Sequence, residues 1–359
     1  MSPGSPARGT GRRWGARIAL LVIGTIAALG LAEVVLRVVG FRFLLYPEHI
    51  EFGSPNPQEM KSEFVPHDRL LWVRPGYEET VRRAREERPA LALMGCSATA
   101  WGRYDEALAR RVAERRGGQE LVYVNLAFPG WSSFQGLEQM RLDVREIAPR
   151  VVTIFYGWND HWIGFGIDDA TAARLNRSVL FPLQRLRIVQ LANKALASRE
   201  TGFAAEGASP RPLRVAPDAF RSNLEEMVDL AQSVGATPML LTAPTSHRKG
   251  HEPRYLTRRW LERIEDLVPL HQRYVGIVRE VAAEKDAPLC DLAAAAAGLD
   301  VRRRNALFHQ DGIHFSEVGQ EWAGELLYRC LEREGLFERL LPSRAGAVEV
   351  DSGKADPGP

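Results

Sequence analysis

Four short segments of the chain carry the residue types that acyl transfer requires. They are Gly95–Thr99, Asn125–Gly130, Gly157–Asp160 and Asp311–His314. A serine hydroxyl attacks an ester only when a base takes its proton, and the charge that develops on the substrate oxygen needs fixed hydrogen-bond donors. These segments offer one serine, one histidine with an aspartate three residues before it, and several amide donors.

A role follows for each of these side chains. Ser97 is the candidate nucleophile and His314 the candidate general base, while Asp311 would hold the imidazole in the right tautomer. The oxyanion would be stabilised by the backbone N–H groups of Ser97 and Gly130 and by the side-chain amide of Asn159. A helix cap or a turn would explain any one of these residues alone. Their joint occurrence favours the catalytic interpretation.

The same segments resemble the sequence blocks of the SGNH (GDSL-like) hydrolase superfamily, which is named for a serine, a glycine, an asparagine and a histidine. Those positions fall on Ser97, Gly130, Asn159 and His314. The resemblance covers roughly residues 88 to 335 and implies a flavodoxin-like fold and an esterase activity. It departs from the commonest pattern at Cys96, where many members carry aspartate, but that position varies and Ser97 remains the predicted nucleophile.

Aromatic side chains are concentrated around these segments and form a second group of candidate site residues. The substrate-binding candidates are Trp101, Trp131, Trp158, His161 and Trp162. Aromatic faces beside an esterase site can stack on sugar rings, which favours an O-acylated carbohydrate as substrate. Packing in the core is the competing explanation for each of them.

Strands and helices alternate through the central part of the chain. Strands are predicted at 90–94, 121–126, 151–156, 238–242 and 288–291, and helices near 105–116, 133–145, 217–234, 258–284 and 316–334. This alternation predicts a three-layer α/β/α sandwich with a parallel sheet. Reactive groups in such folds collect beyond the carboxyl ends of the strands, and Ser97, Gly130 and Asn159 each follow a predicted strand.

The amino-terminal region predicts a single membrane-spanning helix. A basic tail at 1–17 precedes an apolar segment at 18–39, which approaches the ~20 residues needed to cross a bilayer. Positive charge before the span predicts a cytoplasmic amino terminus and an extracytoplasmic or periplasmic catalytic domain. Cleavage near Ala32 would make the segment a removable signal peptide instead. The apolar residues that continue past Ala32 favour an uncleaved anchor.

Composition divides the remainder of the chain into further regions. Residues 40–87 are predicted to wrap or lead up to the domain, 88–340 to form the catalytic domain, and 341–359 to be a disordered tail. Within the domain, 161–216 loses the strand–helix rhythm and is predicted to form a partly helical cap over the site.

Charge and cysteine content exclude several classes of function. The net charge is only +2, with 47 basic and 45 acidic residues, which excludes the basic footprint of a nucleic-acid-binding protein. The three cysteines lack CxxC spacing, so a structural zinc site is not expected, and Cys290 and Cys330 are interpreted as small buried hydrophobic residues. No metal or organic cofactor is implied.

Three functions remain open at this stage. The leading one is a membrane-anchored serine esterase acting on a small-molecule or glycan ester, with O-acetyl groups of a carbohydrate as the expected substrate. An O-acyltransferase would use the same residues but deliver the acyl group to a polysaccharide hydroxyl. A non-catalytic carbohydrate-binding protein would retain the fold without needing Ser97 and His314 together. The oligomeric state is not predicted.

Overall fold

A long apolar helix precedes the folded domain. The computed structural model describes residues 10–41, 65–163, 168–177, 183, 186–201, 212–256 and 260–342. Helix α1 spans Thr10–Val38. Its segment Arg17–Val38 is long and apolar enough to cross a membrane. The most apolar 18 residues of this segment have a mean hydropathy of 2.4, and none of them is buried against the rest of the described chain.

The region before the sheet contains regular structure that the sequence did not predict. Strands β1 (Val65–His67) and β2 (Leu71–Val73) form an antiparallel ribbon, and helix α2 (Tyr77–Glu87) follows. Leu70 and Trp72 of this ribbon are buried in the core of the domain. This part of the predicted wrapping segment therefore contributes to the core, and residues 42–64 lie outside the described part of the chain.

The central sheet has five parallel strands. They are β3 (Leu91–Gly95), β4 (Tyr123–Asn125), β5 (Val151–Phe155), β6 (Thr237–Leu241) and β7 (Leu289–Cys290). Their order across the sheet is β4-β3-β5-β6-β7, so the direction of strand succession reverses between β3 and β5. This is the flavodoxin-like order, in which the functional crevice opens at the reversal point.

Helices cover both faces of the sheet. They are α3 (Ser97–Ala100), α4 (Tyr104–Arg115), α5 (Ser133–Gln139), which continues through a π-helical turn at Met140–Val144 into α6 (Arg145–Ile147), α7 (Asp169–Asn176), α8 (Arg187–Thr201), α9 (Pro217–Ser233), α10 (Leu267–Glu284), α11 (Leu292–Ala297), α12 (Val301–Ala306), α13 (Glu317–Arg333) and α14 (Phe337–Leu340). Alternate residues of β3 enter different cores: Ala92 and Met94 join one apolar cluster, Leu91 and Leu93 the other. The predicted three-layer sandwich is confirmed.

Helix α10 is shorter than the sequence suggested. It begins at Leu267, so the predicted start near 258 is wrong. Pro269 lies in its first turn, the one place in a helix where a missing N–H and a fixed φ are tolerated. A helix extending further upstream would place this proline in its interior.

Cys290 and Cys330 form a disulfide, which corrects their interpretation as unpaired hydrophobic residues. Their Cα atoms are 5.6 Å apart, and the bond joins β7 to α13 across 40 residues of sequence. Both side chains are buried, so the hydrophobic environment was anticipated correctly. The pairing was missed because two cysteines so far apart in sequence carry no local signal. Cys96 remains a free, buried thiol.

Part of the predicted cap is described and contacts helix α1. Helices α7 and α8 lie within it, and the Ile188 N–H at the start of α8 donates to Glu33 Oε2 of α1 at 3.0 Å. Lys194 of α8 lies over the ring of Phe41. Residues 164–167, 178–182, 184–185 and 202–211, like the termini at 1–9 and 343–359, lie outside the described residues. Coverage of the site by this segment remains a prediction.

Candidate active site

The serine follows the central strand β3 directly. Strand β3 ends at Gly95, Cys96 is extended, and α3 begins at Ser97. A side chain at position 95 would have its Cβ 2.4 Å from Thr99 Oγ1 and 2.9 Å from Phe155 O, so only glycine fits this tight turn. The turn holds Ser97 at the carboxyl end of the strand, with its N–H in the first turn of α3, where helix N–H groups have no intrahelical partner.

Ser97, His314 and Asp311 form one continuous hydrogen-bonded chain. His314 Nε2 is 2.8 Å from Ser97 Oγ, and His314 Nδ1 is 2.6 Å from Asp311 Oδ2. An ionised carboxylate only accepts hydrogen bonds, so Nδ1 carries the ring proton. Nε2 is then free to accept the proton of the serine hydroxyl. This geometry brings together three of the residues predicted from sequence, although they are separated by up to 217 positions.

The environment of Asp311 favours its ionised form. Its Oδ1 accepts the backbone N–H groups of Ile313 at 2.8 Å and His314 at 3.0 Å. Burial alone would raise the pKa of Asp311, but the hydrogen bond and charge of His314 and these two amides outweigh it, and the pKa lies below its ordinary value. The carboxylate can therefore fix the imidazole and offset a positive charge on it.

The turn that carries Asp311 requires glycine at position 312. Gly312 has φ +72°, and a Cβ there would be 2.6 Å from His247 Nε2 and 2.7 Å from Ser246 Oγ. The loop after β6 holds this turn. His247 Nε2 donates to Asp311 O at 2.7 Å, and Thr245 Oγ1 donates to Gly312 O at 3.0 Å.

Two of the three proposed oxyanion donors, Gly130 and Asn159, lie on loops that are bonded to each other. Gly130 adopts φ +79°, a conformation that glycine reaches without strain. Asn159 is buried, and its Nδ2 donates one hydrogen to Trp131 O at 2.9 Å. Since an amide NH₂ has two hydrogens, the second is available to another acceptor. Asn159 is thus oriented by the loop that carries Gly130.

A buried arginine that the sequence did not single out fixes the Gly130 turn. Arg214 Nη1 donates to Gly130 O at 2.7 Å. Its Nε and Nη2 donate to the two oxygens of Asp169 at 3.1 and 2.9 Å. Both charged side chains are buried, so each requires the opposite charge of the other to offset the cost of removing it from water. No motif marks Arg214, because it lies within the irregular segment that was predicted to form the cap.

Asp160 connects the third segment to the start of helix α5. Its Oδ1 accepts the Ser133 N–H at 2.7 Å and its Oδ2 accepts the Gly157 N–H at 3.0 Å. Burial raises the pKa of Asp160 to about 6, against the opposing effect of its hydrogen bonds with Ser133. The sequence placed this residue inside a recognised block, but its bridging role depends on contacts that only the fold creates.

The five aromatic candidates differ sharply in exposure. Trp101 is 37% exposed, and its ring centroid is 5.5 Å from that of His314. Trp131, Trp158, His161 and Trp162 are all buried. Trp131 donates to Trp72 O at 3.1 Å, and Trp158 stacks on His271 at 3.9 Å. Packing therefore accounts for these four buried rings, and Trp101 is the one candidate of the five with a substantially exposed ring.

Two other chemistries receive little support from the described residues. Burial raises the pKa of the Cys96 thiol to about 11, so it stays protonated and is a poor nucleophile. Across the described ranges, no group of three or more His, Cys, Asp or Glu side chains is arranged to hold a metal ion.

Comparison with known proteins identifies one matching family and several similar solved structures. The model of the GDSL-like Lipase/Acylhydrolase family matches residues 91–322. A lipase/acylhydrolase from Enterococcus faecalis is 22% identical, with 68% of this chain and 95% of that chain covered and a TM-score of 0.44. A GDSL-like lipase from Bacteroides thetaiotaomicron is 15% identical (72% and 98% covered, TM-score 0.44).

A mutant of an acetyl-xylooligosaccharide esterase from Geobacillus is 15% identical (71% and 97% covered, TM-score 0.43). No curated protein sequence is significantly similar to the chain.

Proposed function

The chain belongs to the GDSL-like lipase/acylhydrolase family and is a hydrolase acting on esters, and from this membership we propose that it is a serine esterase that removes O-acetyl groups from a carbohydrate. The single observation that carries the proposal is the hydrogen-bonded chain from Asp311 through His314 to Ser97. Each bond has the direction that proton transfer from the serine hydroxyl requires.

The proposed reaction has two steps through a covalent acyl-enzyme. Ser97 Oγ gives its proton to His314 Nε2 and attacks the ester carbonyl carbon, and the imidazolium then protonates the leaving sugar hydroxyl. In the second step His314 deprotonates a water molecule that attacks the acyl carbon, which releases acetate and restores Ser97. In both steps the negative oxygen would be bound by the N–H groups of Ser97 and Gly130 and by the amide of Asn159.

The substrate class rests on Trp101. It is the aromatic candidate whose ring is both exposed and close to His314. An aromatic face at the mouth of a site offers a flat apolar surface that a pyranose ring can cover. We therefore place the sugar against Trp101 and the acyl group towards Ser97. Trp101→Ala should raise KM for an acetylated sugar much more than for p-nitrophenyl acetate.

A sugar hydroxyl in place of water would turn the same site into an O-acyltransferase. The experiment is an assay of the detergent-solubilised full chain with an acetylated oligosaccharide, with and without an unacetylated acceptor, alongside Ser97→Ala. Free acetate, absent from the variant, supports the esterase. Acetyl groups appearing on the acceptor with little free acetate favour the transferase. Neither product in the presence of bound oligosaccharide would favour a non-catalytic binding protein.

The proposed location is the outer side of a membrane. Arginines precede the apolar helix, which favours an outward catalytic domain, and the Cys290–Cys330 disulfide fits an oxidising compartment. Full-length protein should sediment with membranes, and protease added outside should digest its domain. The mass of the mature amino terminus separates an uncleaved anchor from a removed signal peptide. A soluble, uncleaved protein recovered from cytosol would contradict the proposal.

A further inference from the structure

A cavity of about 320 Å³ lies beside the turn that carries Asp311, since His247 of its lining is bonded to Asp311 O. Its walls come from the loop after β6 and from α10, α11 and α12, and none of Ser97, Asp311, His314 and Asn159 lines it. Leu267, Val268, Val275 and Ala293 give it a largely apolar surface. Its size falls at the lower end of the range typical of small-molecule sites, about 300–1,000 Å³.

The charge that faces this cavity is not balanced. Its described lining includes two arginines, Arg279 and Arg304, and no acidic residue. Arg279 is neutralised by Asp291, whose two oxygens accept its Nε and Nη2 at 2.7 and 3.0 Å. Arg304 Nε is buried and has no hydrogen-bond partner within the part of the chain that the structure describes. Leaving a buried donor unsatisfied is costly, so a ligand that accepts from Arg304 would gain that energy.

Besides the arginines, four polar side chains line the cavity: Thr245, His247, His271 and Gln272. Both histidines are neutral, because burial lowers the pKa of each. His271 Nε2 donates to Ala243 O at 2.9 Å, which leaves its Nδ1 to accept from His161 Nε2 at 3.1 Å. His247 Nε2 donates to the carbonyl of Asp311, so its Nδ1 carries a lone pair. That Nδ1 is buried and has no hydrogen-bond partner among the described residues. Beside its apolar walls, the described lining of the cavity therefore includes one arginine without an acidic partner, one histidine nitrogen that can accept a hydrogen bond, and the side chains of Thr245 and Gln272.

We propose that this cavity binds a short aliphatic hydroxycarboxylate. Its carboxylate would accept from the Arg304 guanidinium, its hydroxyl would donate to His247 Nδ1, and its hydrocarbon chain would lie against Val268, Val275 and Leu267. Each polar group of the ligand thus has one partner in the lining, and its hydrocarbon chain contacts the apolar wall. The site is separate from the esterase centre, and its occupancy does not depend on Ser97 chemistry.

The test is calorimetric titration of the full-length Ser97→Ala protein with 3-hydroxyhexanoate, hexanoate and hexanol. Binding should be saturable and strongest for 3-hydroxyhexanoate, weaker for hexanoate and weakest for hexanol. Arg304→Gln should weaken binding more than about tenfold, the cost of losing a hydrogen bond to a charged group. Arg302→Gln is the matched control, because Arg302 lies exposed on the same helix α12 and does not line the cavity.

A cavity-filling variant, Ala293→Leu, should abolish binding without removing any charge. Several outcomes would overturn the proposal: no saturable binding by the unaltered cavity, equal affinity for hexanol and hexanoate, or equal affinity in Arg304→Gln and Arg302→Gln. Equal affinity for hexanoate and 3-hydroxyhexanoate would overturn the role of His247. Because the protein titrated lacks the serine nucleophile, failure of the esterase proposal would leave these results unchanged.

Discussion

At the scale of single residues, the site depends on hydrogen bonds that can run in only one direction. The Asp311 carboxylate accepts from His314 and from two backbone amides, so the imidazole tautomer is fixed before substrate arrives. Asn159 has a similar constraint, since the carbonyl of Trp131 takes one hydrogen of its amide. Such prior orientation matters because donors that need no reorganisation stabilise a developing charge most effectively.

Replacing Asn159 with alanine tests the oxyanion assignment. Loss of one donor costs about 2.7–4 kcal/mol of transition-state stabilisation, so turnover should fall roughly 100-fold or more. The thermal midpoint should change little, and the measurement is kcat for p-nitrophenyl acetate beside a melting curve. Asn223→Ala is the matched control, because its amide also makes a partly buried hydrogen bond, to Ser133 Oγ at 2.9 Å. Full turnover in Asn159→Ala would remove this residue from the site.

At the scale of elements, the loop carrying Gly130 is held by a buried ion pair from the predicted cap. Arg214 bonds Gly130 O and Asp169 together, so the position of a proposed oxyanion donor depends on residues outside every sequence block. Arg214 acts through Gly130 and is a positioning residue. The segment at 161–216 therefore supplies the ion pair that holds Gly130, independently of whether it also covers the proposed site.

The Arg214 assignment predicts a selective loss of kcat. Arg214→Gln should lower kcat while leaving KM nearly unchanged. The variant displaces the Gly130 N–H, which is proposed to bind the negative oxygen of the transition state and not the substrate in its ground state. The variant also leaves Asp169 buried without its partner, which costs about 3–5 kcal/mol of stability. Adding Asp169→Asn should therefore restore the melting temperature but not kcat. Recovery of both together would show that Arg214 serves stability alone.

The disulfide between β7 and α13 makes a prediction about stability. Closing a loop across 40 residues should stabilise the fold by about 4 kcal/mol according to the chain-entropy relation. Cys290→Ser with Cys330→Ser should lose that amount in urea unfolding, and reductant should affect the wild type but not the variant. Thiol titration of the denatured, non-reduced protein should find only Cys96. Finding three thiols would contradict the pairing.

Several elements could be predicted from the sequence because their signals are local. The runs that form β3, β5 and β6 are mostly apolar and almost entirely buried, and such runs identify buried strands. Ser97, Gly130 and Asn159 each lie within about five residues after the end of a parallel strand, so the sheet itself predicts that they lie at the same edge. Arg214 gave no such signal, since Asp169 and Gly130 lie 45 and 84 residues away from it. The burial of Trp131 likewise follows from tertiary packing.

At the scale of the whole molecule, buried neutral histidines link stability to pH. His161 and His271 are buried and bonded to each other. Burial lowers the pKa of His271 to about 3 and, together with the neighbouring His271, lowers that of His161 well below its ordinary value. The unfolded chain binds these protons below pH ~6.5. Stability is therefore complete above that pH and is lost as the pH falls towards 3.

The expected acid lability can be measured with His271→Gln. A histidine that the fold holds neutral lowers the free energy of unfolding by about 2 kcal/mol at pH 5 relative to pH 7. The melting temperature of the variant should therefore fall less between pH 7 and pH 5 than that of the wild type. Asp160 has the opposite effect on stability. Its pKa in the folded protein is about 6, above that of an ordinary aspartate, so the folded state binds a proton before the unfolded chain does and is stabilised as the pH falls. His309→Gln, at an exposed position, is the control. An identical pH dependence in all three proteins would contradict this account.

The most direct test of the esterase account is covalent labelling with a serine-directed phosphonate. Such a probe reacts only with a serine that a neighbouring base activates. The solubilised full chain should take up one phosphonyl group on the peptide containing Ser97, and Ser97→Ala and His314→Ala should take up none. Labelling of another serine, or no labelling of the folded wild-type chain by a probe small enough to enter the site, would contradict the assignment of Ser97 as the nucleophile.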